Sequence, residues 1–124
     1  MEEKLLQAAL AAREKAYAPY SHFQVGAAVL AADGQIYSGC NVENASYGLT
    51  CCAERNAIFA AVAAGQRQLQ ALCVVGATEE PISPCGACRQ VMAEFKIPVI
   101  YLANLQGQVK KMTLAQLLPY SFSL

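Results

Sequence analysis

The chain has 124 residues, 56% of them apolar, with nine basic and nine acidic side chains. That length suits one compact domain, residues 1–124, and an apolar content without charge runs excludes intrinsic disorder. Zero formal net charge offers no electrostatic capture of nucleic acid or of an anionic membrane, and no apolar run approaches the roughly 20 residues that span a bilayer.

In chain order, an amphipathic helix is expected from Glu2 to about Tyr17. Leu5, Leu6, Ala9 and Ala12 recur at helical spacing and Pro19 ends the run. Tyr20 to Leu30 then passes from loop into buried strand, Asp33-Gly34 signals a hairpin turn, and Gln35 to Asn41 returns as the antiparallel partner. The lone histidine, His22, reads as polar surface, and Phe23 fits either the core or a pocket wall. Alternation puts Asn41 and Glu43 on one side of the strand end. There an amide and a carboxylate either grip a polyhydroxylated ligand or form a solvated turn.

Thr50 is the expected N-cap of an alanine-rich helix, Cys52 to Ala64, closed by Gly65. Ala53, Ala57, Ala60, Ala61 and Ala64 give it a stripe of small residues that permits close approach to the sheet or to another subunit. Ala71 to Thr78 lacks alternation and reads as a strand covered on both faces. Pro84 precedes a helix running to about Lys96, Pro98 to Leu102 and Val109 to Met112 are strands, and Thr113 caps a last short helix, Leu114 to Leu118. This order predicts an α/β fold, a three-layer α/β/α sandwich around a mixed five-stranded sheet.

Cys52-Ala53-Glu54 and Pro84-Cys85-Gly86-Ala87-Cys88 carry the chemistry. Cys52, Cys85 and Cys88 can supply three thiolates to one zinc ion and leave its fourth tetrahedral position open for water. Glu54, with no ligand duty, is then free to move a proton between that water and a substrate. Both ligand groups are expected in first helical turns, where the positive end of the helix dipole favours a thiolate. Three thiolates on Zn²⁺ leave an excess negative charge, which opposes making a nucleophile. Arg55 could offset it by donating to the thiolates, or could be a surface ion-pair partner instead. Cys40, Cys51 and Cys73 read as buried small hydrophobes. Met1-Glu2-Glu3-Lys4 reads as a helix start and not as a secretion signal, so reduced thiols in a cytoplasmic protein are expected. The even cysteine count leaves a disulfide framework as the alternative.

The C-x-E and P-C-x-x-C pair resembles the signature of zinc nucleobase deaminases in its three-cysteine form. Over nearly the whole length the chain is similar to the small, homotetrameric class of cytidine deaminases. The similarity is carried by Pro19-Tyr20-Ser21 with Phe23, Val25-Gly26-Ala27-Ala28, Gly39 to Leu49, Cys52 to Arg55, Ser83 to Gln90, and Leu117-Leu118-Pro119 with Phe122. The resemblance implies hydrolytic deamination of cytidine and 2′-deoxycytidine in pyrimidine salvage, with one zinc ion per subunit. A zinc-bound hydroxide would attack C4, and Glu54 would shuttle the proton. It further implies that Asn41 and Glu43 bind ribose hydroxyls, that Phe23 lines the pyrimidine pocket, and that Ala53 and Glu54 contact the base. Ala45, Tyr47 and Phe122 match residues contributed across a subunit interface, so shared active sites in a homotetramer are expected. Two alternatives stand beside this reading: a nucleoside-antibiotic deaminase resembling blasticidin S deaminase, and a non-catalytic zinc module. Action on nucleic-acid strands is disfavoured by the neutral charge.

Overall fold

The computed structural model describes all residues, 1–124. Its elements are α1 (Glu2–Arg13), β1 (Val25–Ala31), β2 (Ile36–Cys40), a 3₁₀ turn (Tyr47–Leu49), α2 (Ala53–Ala63), β3 (Leu69–Gly76), α3 (Gly86–Glu94), β4 (Val99–Asn104), β5 (Val109–Thr113) and α4 (Leu114–Leu117). One sheet runs in the order β2-β1-β3-β4-β5. Only β3 and β4 pair in parallel, and the other three pairings are antiparallel, so the sheet is mixed as expected.

Strand alternation sorts the core into two layers. Ala28, Cys73, Val75 and Ala103 face α1 and pack with Leu5 and Ala9. Val29, Leu72, Val74 and Ile100 face the other way, onto Ile58 of α2, Met92 of α3 and Leu117 of α4. This is the α/β/α sandwich, with both faces of β3 buried except at Gln70. Two glycines set how closely the helices approach. A Cβ on Gly39 would lie 2.4 Å from the Ala57 backbone nitrogen, and one on Gly26 would lie 2.0 Å from the Ala9 carbonyl.

Several boundaries differ from expectation, each for a tertiary reason. Helix α1 stops at Arg13, a turn early, because the Tyr17 backbone is drawn to the segment after β2. Its N–H donates to the Asn41 carbonyl at 3.0 Å and its carbonyl accepts from Glu43 N–H at 2.9 Å. Thr50 is not the cap of α2. It follows the 3₁₀ turn, where its hydroxyl accepts from Asn44 N–H, and Cys52 itself takes the N-cap position. In the alanine stripe Ala53, Ala57 and Ala61 are buried, whereas Ala60 and Ala64 point to solvent. Of the three spare cysteines only Cys73 is buried. Cys40 and Cys51 are half-exposed, since both lie on the β2 edge of the sheet or its extension through the Val42–Cys51 bridge. No disulfide links the six cysteines. The Thr113 cap of α4 is present as a full capping box with Gln116.

Candidate active site

Two helix N-termini meet at the site. Cys52 is the N-cap of α2 and Cys85 the N-cap of α3, both with extended backbone. Cys88, one turn into α3, is buried, and its backbone N–H donates to Cys85 Sγ at 3.5 Å. The parallel β3–β4 pairing and the close seat of α2 on Gly39 bring these ends together. The three sulfurs lie within 4.8 Å of one another, and Cys52 Sγ is 3.7 Å from Cys85 Sγ. Two thiolates each about 2.3 Å from a tetrahedral zinc stand about 3.8 Å apart. The donor set therefore fits one zinc ion per chain.

Charge at the cluster is arranged for thiolates. Hydrogen bonding from Cys88, helped by Arg55, pulls Cys52 down from 9.0 to about 5, while the same bond and burial push Cys88 up. A cation bound among these sulfurs would displace the protons they retain. Arg55 Nη2 lies 3.3 Å from Cys52 Sγ, and the thiolate raises the Arg55 pKa in return. Its Nε is buried without a partner, and no carboxylate forms a salt bridge with the guanidinium.

Glu54 is 4% exposed and forms no ion pair, the chain's single salt bridge being Arg13–Glu14. Burial first, and then the Cys52 thiolate, pushes its carboxyl up from 4.5 to about 7. It faces a cleft of about 260 Å³ that is also lined by Phe23, Asn41, Glu43, Cys52, Ala53 and Cys85, with Ser21, Val25, Thr50, Ile82 and Ser83 completing the wall. A larger hollow of about 610 Å³ lies at the far end of the sheet, between Arg67 and Lys96, and holds no such set of groups.

The polar wall is tightly fixed. Asn41 Oδ1 accepts from Val25 N–H and its Nδ2 donates to the Phe23 carbonyl, both at 2.8 Å. Glu43 accepts from Tyr20 N–H at 3.0 Å, from Ser21 N–H at 3.1 Å and from the Ser21 hydroxyl. The hydroxyl bond is the main reason its carboxyl is held below the usual carboxylate range. Phe23 is 36% exposed, a wall residue and not core.

Three residues of the expected site stay outside the cleft. Ala45 is exposed, Tyr47 is 82% exposed, and Phe122 is 68% exposed, with its carbonyl held by Gln90 Nε2 at 3.2 Å. Ser21, Ser83 and Arg89 were not among the expected residues. Ser21 carried no local signal, since its partner lies 22 positions away. Arg89 did carry one: at i+4 from Cys85 its side chain can reach back over the helix start.

Three sulfurs with an open side and a buried carboxylate next to them define a zinc site of the catalytic, three-ligand class. Residues 1–104 match the family described as the cytidine and deoxycytidylate deaminase zinc-binding region. A cytidine deaminase from Sporosarcina psychrophila is 58% identical over 124 residues, covering 98% of this chain and 90% of that relative. One from Halalkalibacterium halodurans is 53% identical over 98% of this chain and 93% of its own length. The crystal structure of cytidine deaminase from Burkholderia pseudomallei superposes with a TM-score of 0.95 at 56% identity, covering 98% of this chain and 99% of that one. The chain belongs to the cytidine and deoxycytidylate deaminase family of enzymes.

Proposed function

We propose that the chain hydrolyses cytidine and 2′-deoxycytidine to uridine, or 2′-deoxyuridine, and ammonia, in pyrimidine salvage. The observation that carries this reading is the Glu54 carboxylate, buried, without an ion pair, and facing the same cleft as the Cys52 and Cys85 sulfurs. Cys52, Cys85 and Cys88 would hold zinc, which when bound lowers the pKa of its water towards about 7 and so supplies a nucleophile near neutral pH. The cluster offers three sulfurs and no fourth protein donor, which favours catalysis over a structural zinc module.

The remaining steps fall to the chain's own groups. Glu54, with its pKa raised to about 7, is matched to taking a proton at neutral pH and handing it to the ring nitrogen next to C4. The same carboxyl then takes the second proton, from the hydroxyl now on C4, and delivers it to the amine as the C4–N bond breaks and the C4 carbonyl forms. Arg55 offsets the thiolate charge. Asn41 is pinned through one lone pair and one N–H, so its second N–H is left for a ribose hydroxyl. Glu43, kept ionised by Ser21, accepts from the ribose. Phe23 flanks the base, and Ala53 contacts it.

The exposure of Tyr47 and Phe122, outside their own cleft, supports their serving a neighbour's site, together with Ala45, in a homotetramer. No helix is long and apolar enough to cross a membrane. Residues 1–124 act as one cytoplasmic domain in this reading. Glu54→Ala tests the reading: zinc and fold should persist while nearly all ammonia release from cytidine is lost. Turnover near the parent rate would remove Glu54 from the chemistry.

A further inference from the structure

The segment from Glu79 to Pro84, which delivers Cys85 to the site, has no regular secondary structure. It is tied down at its start, where Asn104 Nδ2 donates to the Glu79 carbonyl at 2.9 Å, and in the middle, where Ile82 N–H donates to the Ala103 carbonyl at 3.3 Å. At its end, next to Cys85, the anchor is one side chain. Arg89 Nε donates to the Pro84 carbonyl at 2.9 Å and its Nη2 to the Ser83 hydroxyl at 2.7 Å. Its Nη1 donates at 2.7 Å to the carbonyl of Leu117, the last residue of α4. Leu117 is buried in the larger core layer, so the guanidinium ties the Cys85 end of the loop to a fixed point.

We propose that Arg89 is a positioning residue that fixes Cys85 and the Ser83 wall of the cleft by bridging Pro84, Ser83 and Leu117. The inference rests on the reading of Cys52, Cys85 and Cys88 as zinc ligands. Cys85 is the exposed member of the three, whereas Cys88 is buried and Cys52 half-buried, so its place depends most on what holds the peptide before it. The Pro84 carbonyl is the acceptor of that peptide. A planar fork can meet three acceptors at once, which an ammonium on a flexible stem cannot do in the same geometry.

The test loads the full chain with zinc and follows transfer of the metal to a chromogenic chelator, alongside KM and kcat for cytidine. Arg89→Gln should release zinc about tenfold faster or more, the range expected when a group behind a metal ligand is removed. Arg89→Lys should fall between it and the parent, and Ser83→Ala should give a smaller acceleration. Leu5→Ala, in the opposite core layer, serves as a control for general loosening and should lower the melting temperature without speeding release. Parent-like release from Arg89→Gln, or equal acceleration by Leu5→Ala, would overturn the proposal. Should Arg89→Gln not fold, parent-like release from both Arg89→Lys and Ser83→Ala would do the same. If Cys85→Ala keeps stoichiometric zinc, the ligand assignment fails instead, and that outcome is read separately from the Arg89 variants.

Discussion

Cys52 and Cys85 lie 33 residues apart in the chain, yet their Sγ atoms are 3.7 Å apart. Each caps the N-terminus of its own helix, so two positive dipole ends converge on one pair of sulfurs. Arg55 adds a full cation 3.3 Å from Cys52 Sγ. A three-thiolate set, too anionic on its own to favour a nucleophile at neutral pH, is thereby offset from three directions.

The Ser21 hydroxyl donates to Glu43 and accepts from Phe23 N–H at 3.0 Å, so it links the expected ribose and base contacts. Ser21→Ala should raise KM for cytidine about tenfold with little change in kcat, because a hydrogen bond to a charged group contributes about 1.5–3 kcal/mol and this one acts on binding alone. The pH dependence follows from the sign of the Glu43 shift. Its pKa is lowered, chiefly by Ser21, so binding that needs the carboxylate is full above the usual carboxylate range and is lost as pH falls through the lowered value. Ser21→Ala should move that loss to higher pH. An unchanged KM profile would exclude the role.

Gly39 and Gly26 should separate stability from activity. A Cβ on either meets backbone, at Ala57 of α2 or Ala9 of α1, and each alanine variant should cost about 1–3 kcal/mol, the usual range for overpacking. Only Gly39→Ala displaces the helix that carries Glu54 and is capped by Cys52. It should lower kcat as well as the denaturation midpoint, whereas Gly26→Ala should lower the midpoint alone. Equal losses of kcat in both variants would contradict this.

Cys73 gives the alkaline limb of the stability curve. Burial pushes its thiol from 9.0 to about 12, so the folded state keeps the proton after the unfolded chain has released it. Stability from this group is full below pH 9 and is lost as pH rises towards 12, by about 1.4 kcal/mol per pH unit. Urea unfolding of Cys73→Ala should show a shallower decline over that window than the parent. Parallel curves would remove Cys73 as the cause.

The metal set was legible in the sequence because its spacing is local: Cys52 stands two residues from Glu54, and Cys85 three from Cys88. The mixed sheet and its two helix layers followed from the order of elements, and the unbroken apolar run of β3 matches its burial on both faces, with Val74 and Val75 in opposite layers. The strand order itself was not legible. What was not legible depends on contacts between distant segments. Helix α1 ends early because Tyr17 pairs with Asn41 and Glu43. Thr50 lost the cap of α2 because its hydroxyl is taken by Asn44. Ser21 became visible only when the fold placed Glu43 beside it.

The most direct test of the zinc-dependent reading is ammonia release from cytidine by the purified chain, before and after its zinc is stripped by a chelator and then restored. Turnover should fall to background on stripping and recover with one zinc ion per chain, while blasticidin S is turned over far more slowly than cytidine. Turnover that survives complete removal of zinc, or none from the fully loaded chain, would contradict it.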